Sequence, residues 1–369
     1  MSKILDIVHV LRNGKPLYGD YVRNRHCIVA SESNGERTAY CFSVPIYRAG
    51  TNVLLEPVFQ KDGSIIHMEG SNVSVNINKN ISFRNKYGEV KLITDSEYEY
   101  ISENEVRYKN RYIYPSFNGI TCKEMCGTDK VVKLKVSSAV SDTQIRVNNK
   151  CFAFMREQFV PLLTVSCIGA LDSNGIVVAP AILEYTQAKD SEYEITISTE
   201  SPYAVSVLYE INMYEPKLFQ DTTVESNNPQ SNNAFGSIAF IGCTKAYGEQ
   251  WLYIRPDMGR ISDIASVDVS KVILHLPLYQ KSGVGLKIYS VRRRFCSFGS
   301  NWNNKIPAKF SGKCSVTDNG YISFDITDMY ADRASGFIIK PEQRDGGFVC
   351  VATGDNYDNP AVLEIRLKS

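Results

Sequence analysis

The feature that most constrains the fold is a succession of short apolar runs separated by turn residues. Between residues 37 and 94 the runs are TAYCFSVPIY, NVLLEPVF, SNVSVNINKN and GEVKLIT, and the spacers are RAGT, KDGS and NKYG. Runs of this length, at a spacing of roughly ten residues, are typical of β-sandwiches and barrels. In the later run YEITIST, the residues Tyr193, Ile195 and Ile197 share one face. The pattern predicts an all-β protein built from tandem, jelly-roll-like β-sandwich domains.

The composition agrees with this class, and the spacing of the runs suggests four segments. The chain of 369 residues has 22 tyrosines, and aromatic and β-branched residues favour the half-buried surface of a sheet. We expect a short N-terminal arm at residues 1–30, a β-sandwich at 31–110, a second β-sandwich at 111–216 and a third unit at 217–369. The arm contains ILDIVHVL, which fits a strand as well as a helical stripe.

Charge and hydropathy narrow the class of partners and the compartment. The formal net charge is +1, which gives no electrostatic reason to expect a nucleic-acid partner. No stretch approaches the roughly 18 apolar residues of a membrane span. Asp6 and His9 interrupt the apolar run near the N-terminus, so that run does not resemble a secretory signal. We therefore expect synthesis in a cytosol, followed by release at a spore or cell surface through lysis.

Ten cysteines are spread over the whole chain. Only Cys122 and Cys126 are close in sequence, and a zinc site normally needs two such pairs. One interpretation is that the cysteines are buried free thiols. The other is that some of them cross-link the protein, within or between subunits, in an oxidising environment. The candidates for cross-linking are Cys27, Cys41, Cys122 and Cys126. The apolar arm could then dock on a neighbouring subunit, or fold back onto its own sandwich.

The third unit carries a series of motifs in a characteristic order. They are QDTTVESNNPQSNNAFGSIAFIG, WLYIRPD, VSKVILHLPLY, GSNWNNKIP, GYISFDITDMY with GFIIKP, and DNPAVLEIRL. In this order they resemble the DNRLRE-type domain, a jelly-roll β-sandwich related to carbohydrate-binding modules. The chain departs from that pattern at YIRPD, where Pro256 stands in the place of a phenylalanine. The resemblance implies a non-catalytic domain, as found in bacterial surface proteins and in clostridial spore coats and appendages.

A carbohydrate-binding surface needs an exposed aromatic ring that stacks on a pyranose, with hydrogen-bonding side chains beside it. In the loops of the third unit we predict that Trp302 and Tyr357 supply the rings, and that Asn303 and Asn304 hydrogen-bond the sugar. The alternative for Trp302 is packing into the sandwich.

A structural calcium ion is the one cofactor that we predict. Jelly-roll modules often hold calcium where the first and last strands meet, through oxygen ligands. Asp221, Glu225, Asp355 and Asp358 would lie near that place. The alternative is that they are turn and strand-end residues.

The sequence gives little support for catalysis. The four histidines are scattered, and no nucleophile elbow, P-loop or Rossmann fingerprint is present. In YISFDITDMY we predict that Asp325 ends a strand and caps a turn that crosses between sheets, with Asp328 in its first residues.

We expect a non-enzymatic structural or adhesive surface protein, a self-assembling spore-coat or appendage (filament) subunit that binds itself and a polysaccharide. The alternatives are a soluble carbohydrate-binding module protein, a phage tail or receptor-binding subunit, and a polysaccharide-degrading enzyme.

Overall fold

The computed structural model of the chain describes residues 25–31, 36–51, 53–94, 97–139, 144–157, 159–189, 191–261, 268–281, 284–307, 313–318, 320–343 and 347–368. Within these ranges the chain forms β-strands, one short helix, α1 (Thr327–Ala331), and one 3-10 turn (Met258–Ile261). The predicted all-β class is confirmed. None of the described helices is long and apolar enough to cross a membrane. Most of the predicted N-terminal arm, residues 1–24, lies outside the described residues.

The chain divides into two compact units. The inserted unit is residues 53–215, and the discontinuous unit is formed by the residues before and after it. The strands of the inserted unit are β3 (Val58–Asp62), β4 (Ile65–Glu69), β5 (Ser74–Ile77), β6 (Ile81–Asn85), β7 (Gly88–Ile93), β8 (Glu99–Ser102), β9 (Glu105–Tyr108), β10 (Arg111–Ser116), β11 (Gly119–Met125), β12 (Val131–Ser138), β13 (Gln144–Asn148), β14 (Cys151–Glu157), β15 (Val160–Leu171), β16 (Val177–Ala179), β17 (Ile182–Lys189), β18 (Glu192–Ser198) and β19 (Ser206–Met213). The strands of the discontinuous unit are β1 (Cys27–Ser31), β2 (Arg37–Phe42), β20 (Phe219–Glu225), β21 (Ile238–Thr244), β22 (Gly248–Pro256), β23 (Val269–Lys281), β24 (Leu286–Val291), β25 (Lys313–Cys314), β26 (Val316–Asp318), β27 (Tyr321–Asp325), β28 (Gly336–Pro341), β29 (Phe348–Ala352) and β30 (Val362–Leu367).

The inserted unit is a sandwich of two antiparallel sheets. Sheet A has eight described strands in the order β17-β18-β12-β7-β6-β5-β4-β3. Sheet B has nine, in the order β13-β14-β15-β19-β11-β10-β9-β8, with β16 on β15. Strand β12 shows how one face of a sheet is directed toward the core. Its residues Val132, Leu134 and Val136 are buried, whereas Lys133 and Lys135 on the opposite face are exposed. Apolar side chains from both sheets join in one core.

The discontinuous unit is a second sandwich, whose two sheets share the long strand β23. The first half of β23 pairs with β27 and β30, and its second half pairs with β29. Sheet C therefore runs β1-β2-β30-β23-β27-β26, and sheet D runs β29-β21-β22-β28-β24-β25, with β20 on β22. One core contains Leu274 and Leu363 from sheet C together with Leu252, Ile339 and Val351 from sheet D.

This division differs from the four segments expected from the sequence. Strand β2, expected to open the first sandwich, pairs with the C-terminal strand β30, where Thr38 faces Arg366. There is no boundary at residue 110, because β10 pairs with β9 on one side and β11 on the other. Strand β7 likewise pairs with β12. The two expected sandwiches therefore form one sandwich. Alternation of apolar and polar residues predicts a strand, but it does not indicate which strand is its partner.

The helical turn in YISFDITDMY carries the chain between sheets, as predicted. Helix α1 joins β27 of sheet C to β28 of sheet D. Oδ1 of Asp325 accepts a hydrogen bond from the amide of Thr327 at 3.1 Å and from its hydroxyl at 2.6 Å. The N-cap itself is Ile326 and has no side-chain cap, so Asp325 holds the turn from one residue earlier. Ile326 and Met329 anchor the turn in the core.

Candidate functional site

A cavity of about 390 Å³ lies between α1 and the ends of β22 and β28 in the discontinuous unit, and we call it the arginine cavity. Two arginines, Arg255 and Arg333, and one tyrosine, Tyr330, are among the residues that line it. The remaining lining is apolar or lacks a side chain, and consists of Pro256, Ile326, Ala331, Ala334, Gly336, Phe337 and Leu363. The volume falls in the lower part of the usual range for small-ligand sites, about 300–1,000 Å³.

The two arginines reach the cavity for different local reasons. Arg255 lies near the end of β22 and faces Gln220 of β20 in the ladder. Arg333 follows α1 with a φ of 53°, and its amide donates to the carbonyl of Tyr330 at 3.0 Å. Glycine is the usual residue in this left-handed conformation after a helix. An arginine there carries backbone strain that glycine would avoid.

The electrostatics of the arginine cavity favour an anion. The guanidinium of Arg255 donates to the side chain of Gln220 and lies 5.9 Å from the ring centroid of Phe295. Burial lowers the pKa of Arg255 and nearby Arg294 lowers it further, whereas Asp257 acts in the opposite direction. Burial also raises the pKa of Tyr330, so its phenol remains a neutral hydrogen-bond donor. Two cations and one donor on an apolar wall suit a carboxylate or a phosphate.

Trp302, which we predict to be a sugar platform, packs against the second tryptophan of the chain. The ring centroids of Trp302 and Trp251 are 5.0 Å apart. Nζ of Lys305 lies 4.2 Å from the ring centroid of Trp302, and Nζ of Lys340 lies 3.7 Å from that of Trp251. Both tryptophans belong to an apolar cluster that includes Tyr253 of sheet D. These contacts agree with the alternative interpretation of Trp302, in which its ring packs into the sandwich.

The backbone amides of Asn303 and Asn304, and the side chain of Asn304, are hydrogen-bonded within the chain. The side chain of Asn301 accepts from the amides of Asn303 and Asn304, at 3.0 Å and 3.2 Å. The side chain of Asn304 donates to the carbonyl of Gly299 at 2.8 Å. These bonds close a turn. Tyr357 is 3% exposed and therefore offers no open ring face.

Two of the four predicted calcium ligands lie beside one lysine. Asp355 forms an ion pair with Nζ of Lys217. Asp221 lies against Gly354, where an added Cβ would meet its Oδ2. Burial raises the pKa of Asp221 to about 7, although Lys217 and the amide of Gly354 act to lower it. The ammonium group of Lys217 thus compensates the negative charge of the buried carboxylates of Asp221 and Asp355.

The other two predicted ligands have partners of their own. Glu225 accepts from Gln250 at 3.1 Å and from Asn228 at 3.0 Å. Asp358 accepts from the side chain of Asn359 at 3.3 Å, and burial raises its pKa to about 6. Among the described residues, no group of three or more His, Cys, Asp or Glu side chains is placed to hold a metal ion. The four residues are therefore not gathered into one ligand set.

The sequence gives no indication of a chain of polar contacts on sheet C. Oγ of Ser323 lies 2.7 Å from Nδ1 of His275, and Nε2 of His275 lies 2.9 Å from Glu364. Glu364 also accepts from Nε of Arg366 at 2.7 Å. Burial acts to raise the pKa of Glu364, but the hydrogen bonds from His275 and Arg366 outweigh it and lower the pKa. The order serine, imidazole, carboxylate is that of the serine hydrolases.

Among the described ladders, the strand that carries Ser323 offers no free amide for an oxyanion. Ser323 lies within β27, opposite His275 on one side and Val316 on the other. The amides of β27 are thus engaged by ladders on both sides, whereas acyl transfer needs free donors for the oxyanion. His275 and Ser323 are 48 positions apart, so no local motif could have revealed their contact.

The structure brings together two of the four candidate cross-linking cysteines. Cys27 of β1 faces Cys41 of β2 in the ladder, and both side chains are buried. Cys122 lies in the core of the inserted unit, where burial raises its pKa to about 12. Cys126 is half-buried. The exposed cysteines among the described residues are Cys243 and Cys296.

A comparison with protein-family models finds no family that matches this chain, and a comparison with curated proteins finds no relative. The resemblance of residues 217–369 to the DNRLRE-type domain therefore stays a prediction. A sandwich fold hosts many functions, and the function of one such protein depends on the chemistry of its site.

Proposed function

We propose that the protein is a non-enzymatic structural or adhesive protein of a cell or spore surface, and that its discontinuous unit binds an acidic saccharide in the arginine cavity. The observation that carries the proposal is the presence of Arg255 and Arg333 on one cavity whose other walls are mostly apolar. A guanidinium group binds a carboxylate through two parallel hydrogen bonds. A uronic acid combines a carboxylate with a pyranose whose C–H face packs on aromatic and aliphatic side chains.

The backbone at Arg333 adds support to this proposal. A non-glycine residue at φ 53° costs roughly 1–2 kcal/mol relative to a right-handed conformation. Strained residues of this kind cluster at ligand-binding sites, where the side chain has a role that glycine could not fill. Arg333 lines the arginine cavity, and its side chain there would present a positive charge to the ligand.

The lining of the cavity favours binding over bond cleavage. Glycoside hydrolysis uses a pair of carboxyl groups, and general acid–base catalysis most often uses histidine. Neither a carboxylate nor an imidazole is among the described side chains that line the arginine cavity. An acidic saccharide would therefore be held there without being cut, as an adhesive protein requires.

Calorimetric titration of the full chain with trigalacturonic acid tests the proposal, with neutral galactotriose as the matched ligand. We expect the acid to bind and the neutral trimer to bind at least about tenfold more weakly, since a hydrogen bond to a charged group contributes about 1.5–3 kcal/mol. Arg333→Gly should weaken binding of the acid by about 10- to 100-fold. Because glycine relieves the strain, the same variant should melt at the same temperature or higher.

The control is Arg293→Gln, which removes a charge from an exposed arginine outside the cavity lining and should bind like the unaltered protein. Equal affinity for the acidic and neutral trimers would overturn the proposal, as would absence of binding at millimolar ligand. Octanoate is a third ligand. If it binds while both saccharides are silent, the cavity is a site for aliphatic acids, and the adhesive function is refuted.

A further inference from the structure

The pairing of β1 with β2 places two cysteines side by side. Cys27 is the register partner of Cys41. The next pair along the ladder, His26 with Phe42, is hydrogen-bonded, since the amide of Phe42 donates to the carbonyl of His26 at 2.8 Å. Hydrogen-bonded and non-hydrogen-bonded pairs alternate in an antiparallel ladder, so Cys27 and Cys41 form a non-hydrogen-bonded pair. Within the described ladders, no other two cysteines are register partners.

The geometry of such a pair suits a disulfide. Residues opposite each other in a non-hydrogen-bonded pair have Cα atoms about 4.5 Å apart and side chains that lie close together. Disulfides join Cα atoms that are about 4.4–6.8 Å apart. The exposed fractions of Cys27 and Cys41 are 1% and 0%, and both side chains belong to the core of the discontinuous unit.

The environment explains why these thiols would be slow to react. Burial raises the pKa of Cys27 well above its ordinary value, and a hydrogen bond with Cys41 raises it further. The protonated thiol is a poor nucleophile. A reagent can reach the pair when β1 opens, and β1 pairs with β2 alone among the described strands. Edge elements with few partners open more readily than central ones.

We propose that Cys27 and Cys41 form an intramolecular disulfide in an oxidising environment, and that this bond ties the edge strand β1 to β2 in sheet C. The oxidant is a low-molecular-weight disulfide such as glutathione disulfide. A thiolate of the pair attacks it and releases one glutathione thiolate, and the second cysteine then displaces the other glutathione from the mixed disulfide. One S–S bond breaks and one forms, and the two protons of the cysteines end on two glutathione thiols.

The disulfide should make local opening of the edge strand β1 less frequent. In its absence β1 can separate from β2 by local opening. The disulfide closes a short loop between neighbouring strands and so restricts the opened state. Amide exchange in β1 should therefore slow by about 10- to 100-fold on oxidation, while exchange in the inserted unit stays unchanged.

Peptide mapping of the full chain after incubation with glutathione disulfide tests the proposal. Trypsin cuts after Arg25, Arg37 and Arg48, so the two cysteines fall in separate peptides, HCIVASESNGER and TAYCFSVPIYR. We expect these peptides to be linked in monomeric protein without a reducing agent, and to separate on reduction. Hydrogen exchange of β1 should follow the same redox state.

Cys27→Ser and Cys41→Ser should each abolish the link and the redox dependence of exchange in β1. The matched control is Cys350→Ser, which changes another buried cysteine of the discontinuous unit and should leave the link intact. Recovery of both peptides as free thiols after prolonged oxidation of the unaltered protein would overturn the proposal, and this result does not depend on whether any variant folds. Linkage of either cysteine to another subunit would overturn it as well.

Discussion

Replacing Glu124 by glutamine tests how a charged pair is held in the core of the inserted unit. Nε of Arg111 donates to Oε2 of Glu124 at 2.7 Å, and the hydroxyl of Tyr209 donates to the same oxygen at 2.9 Å. The side chains of Arg111 and Glu124 are 5% and 10% exposed. Burial acts to lower the pKa of Arg111, but Tyr209 and Glu124 outweigh it and raise the pKa. In the variant, the arginine would remain buried and charged without its partner.

The expected loss follows from the cost of an unpaired buried charge. Removal of one partner from a buried ion pair lowers the free energy of unfolding by about 3–5 kcal/mol. Glutamine keeps an acceptor oxygen for Arg111, so we expect the lower end, about 3 kcal/mol, which is roughly a 100-fold change in the equilibrium constant. The double variant Arg111→Met with Glu124→Leu should recover part of this loss, since it buries no charge.

Hydrogen exchange in β11 and β19, combined with urea denaturation, measures the effect. The matched control is the pair of Lys133 and Glu194, which joins neighbouring strands of the same unit at 3.1 Å with side chains 64% and 28% exposed. Glu194→Gln should cost less than about 1 kcal/mol, because solvent screens an exposed pair. The reasoning is refuted if Glu124→Gln costs no more than Glu194→Gln.

Four further predictions concern the discontinuous unit. The lowered pKa of Glu364 stabilises the fold above the ordinary value of 4.5, so stability should fall as the pH drops below it, and His275→Gln should flatten that fall in urea titrations. The pKa of Asp221 is raised from 3.8 to about 7, so the sign is opposite: stability should fall as the pH rises through this window, and Asp221→Asn should remove the fall. Trp302→Ala should lower the free energy of unfolding by about 0.5–1.5 kcal/mol through lost ring stacking, with no change in the calorimetric affinity for trigalacturonic acid. Ser323 should resist a fluorophosphonate probe, and labelling that disappears in Ser323→Ala would contradict a non-enzymatic function.

The strands could be predicted because their signal is local. In β12 the alternation of valine or leucine with lysine is visible in the sequence, and the buried and exposed positions follow it. The turn at Asp325 could be predicted for the same reason, since the side chain of an aspartate at a strand end accepts a hydrogen bond from the amide two residues later.

The candidate site was not predictable, because its parts are distant in sequence. Arg255 lies near the end of a strand and Arg333 follows a helix, and nothing near either residue indicates that they share a cavity. Asp221 could be singled out as a candidate calcium ligand, but its lysine partner could not. Trp302 was visible as a loop tryptophan, and only its distance from Trp251 shows that it packs against another ring.

By itself, the amino-acid sequence determined the all-β class, many of the strands and the turn that crosses between sheets. Each depends on side chains a few positions apart, and the period of two along a strand expresses them directly. Only the tertiary structure decided that β2 joins β30, that residues 53–215 form one unit, and that Cys27 meets Cys41. These pairings depend on which strand edges meet and on which apolar faces share a core, and strands with similar alternation do not differ in those respects until the whole chain is folded.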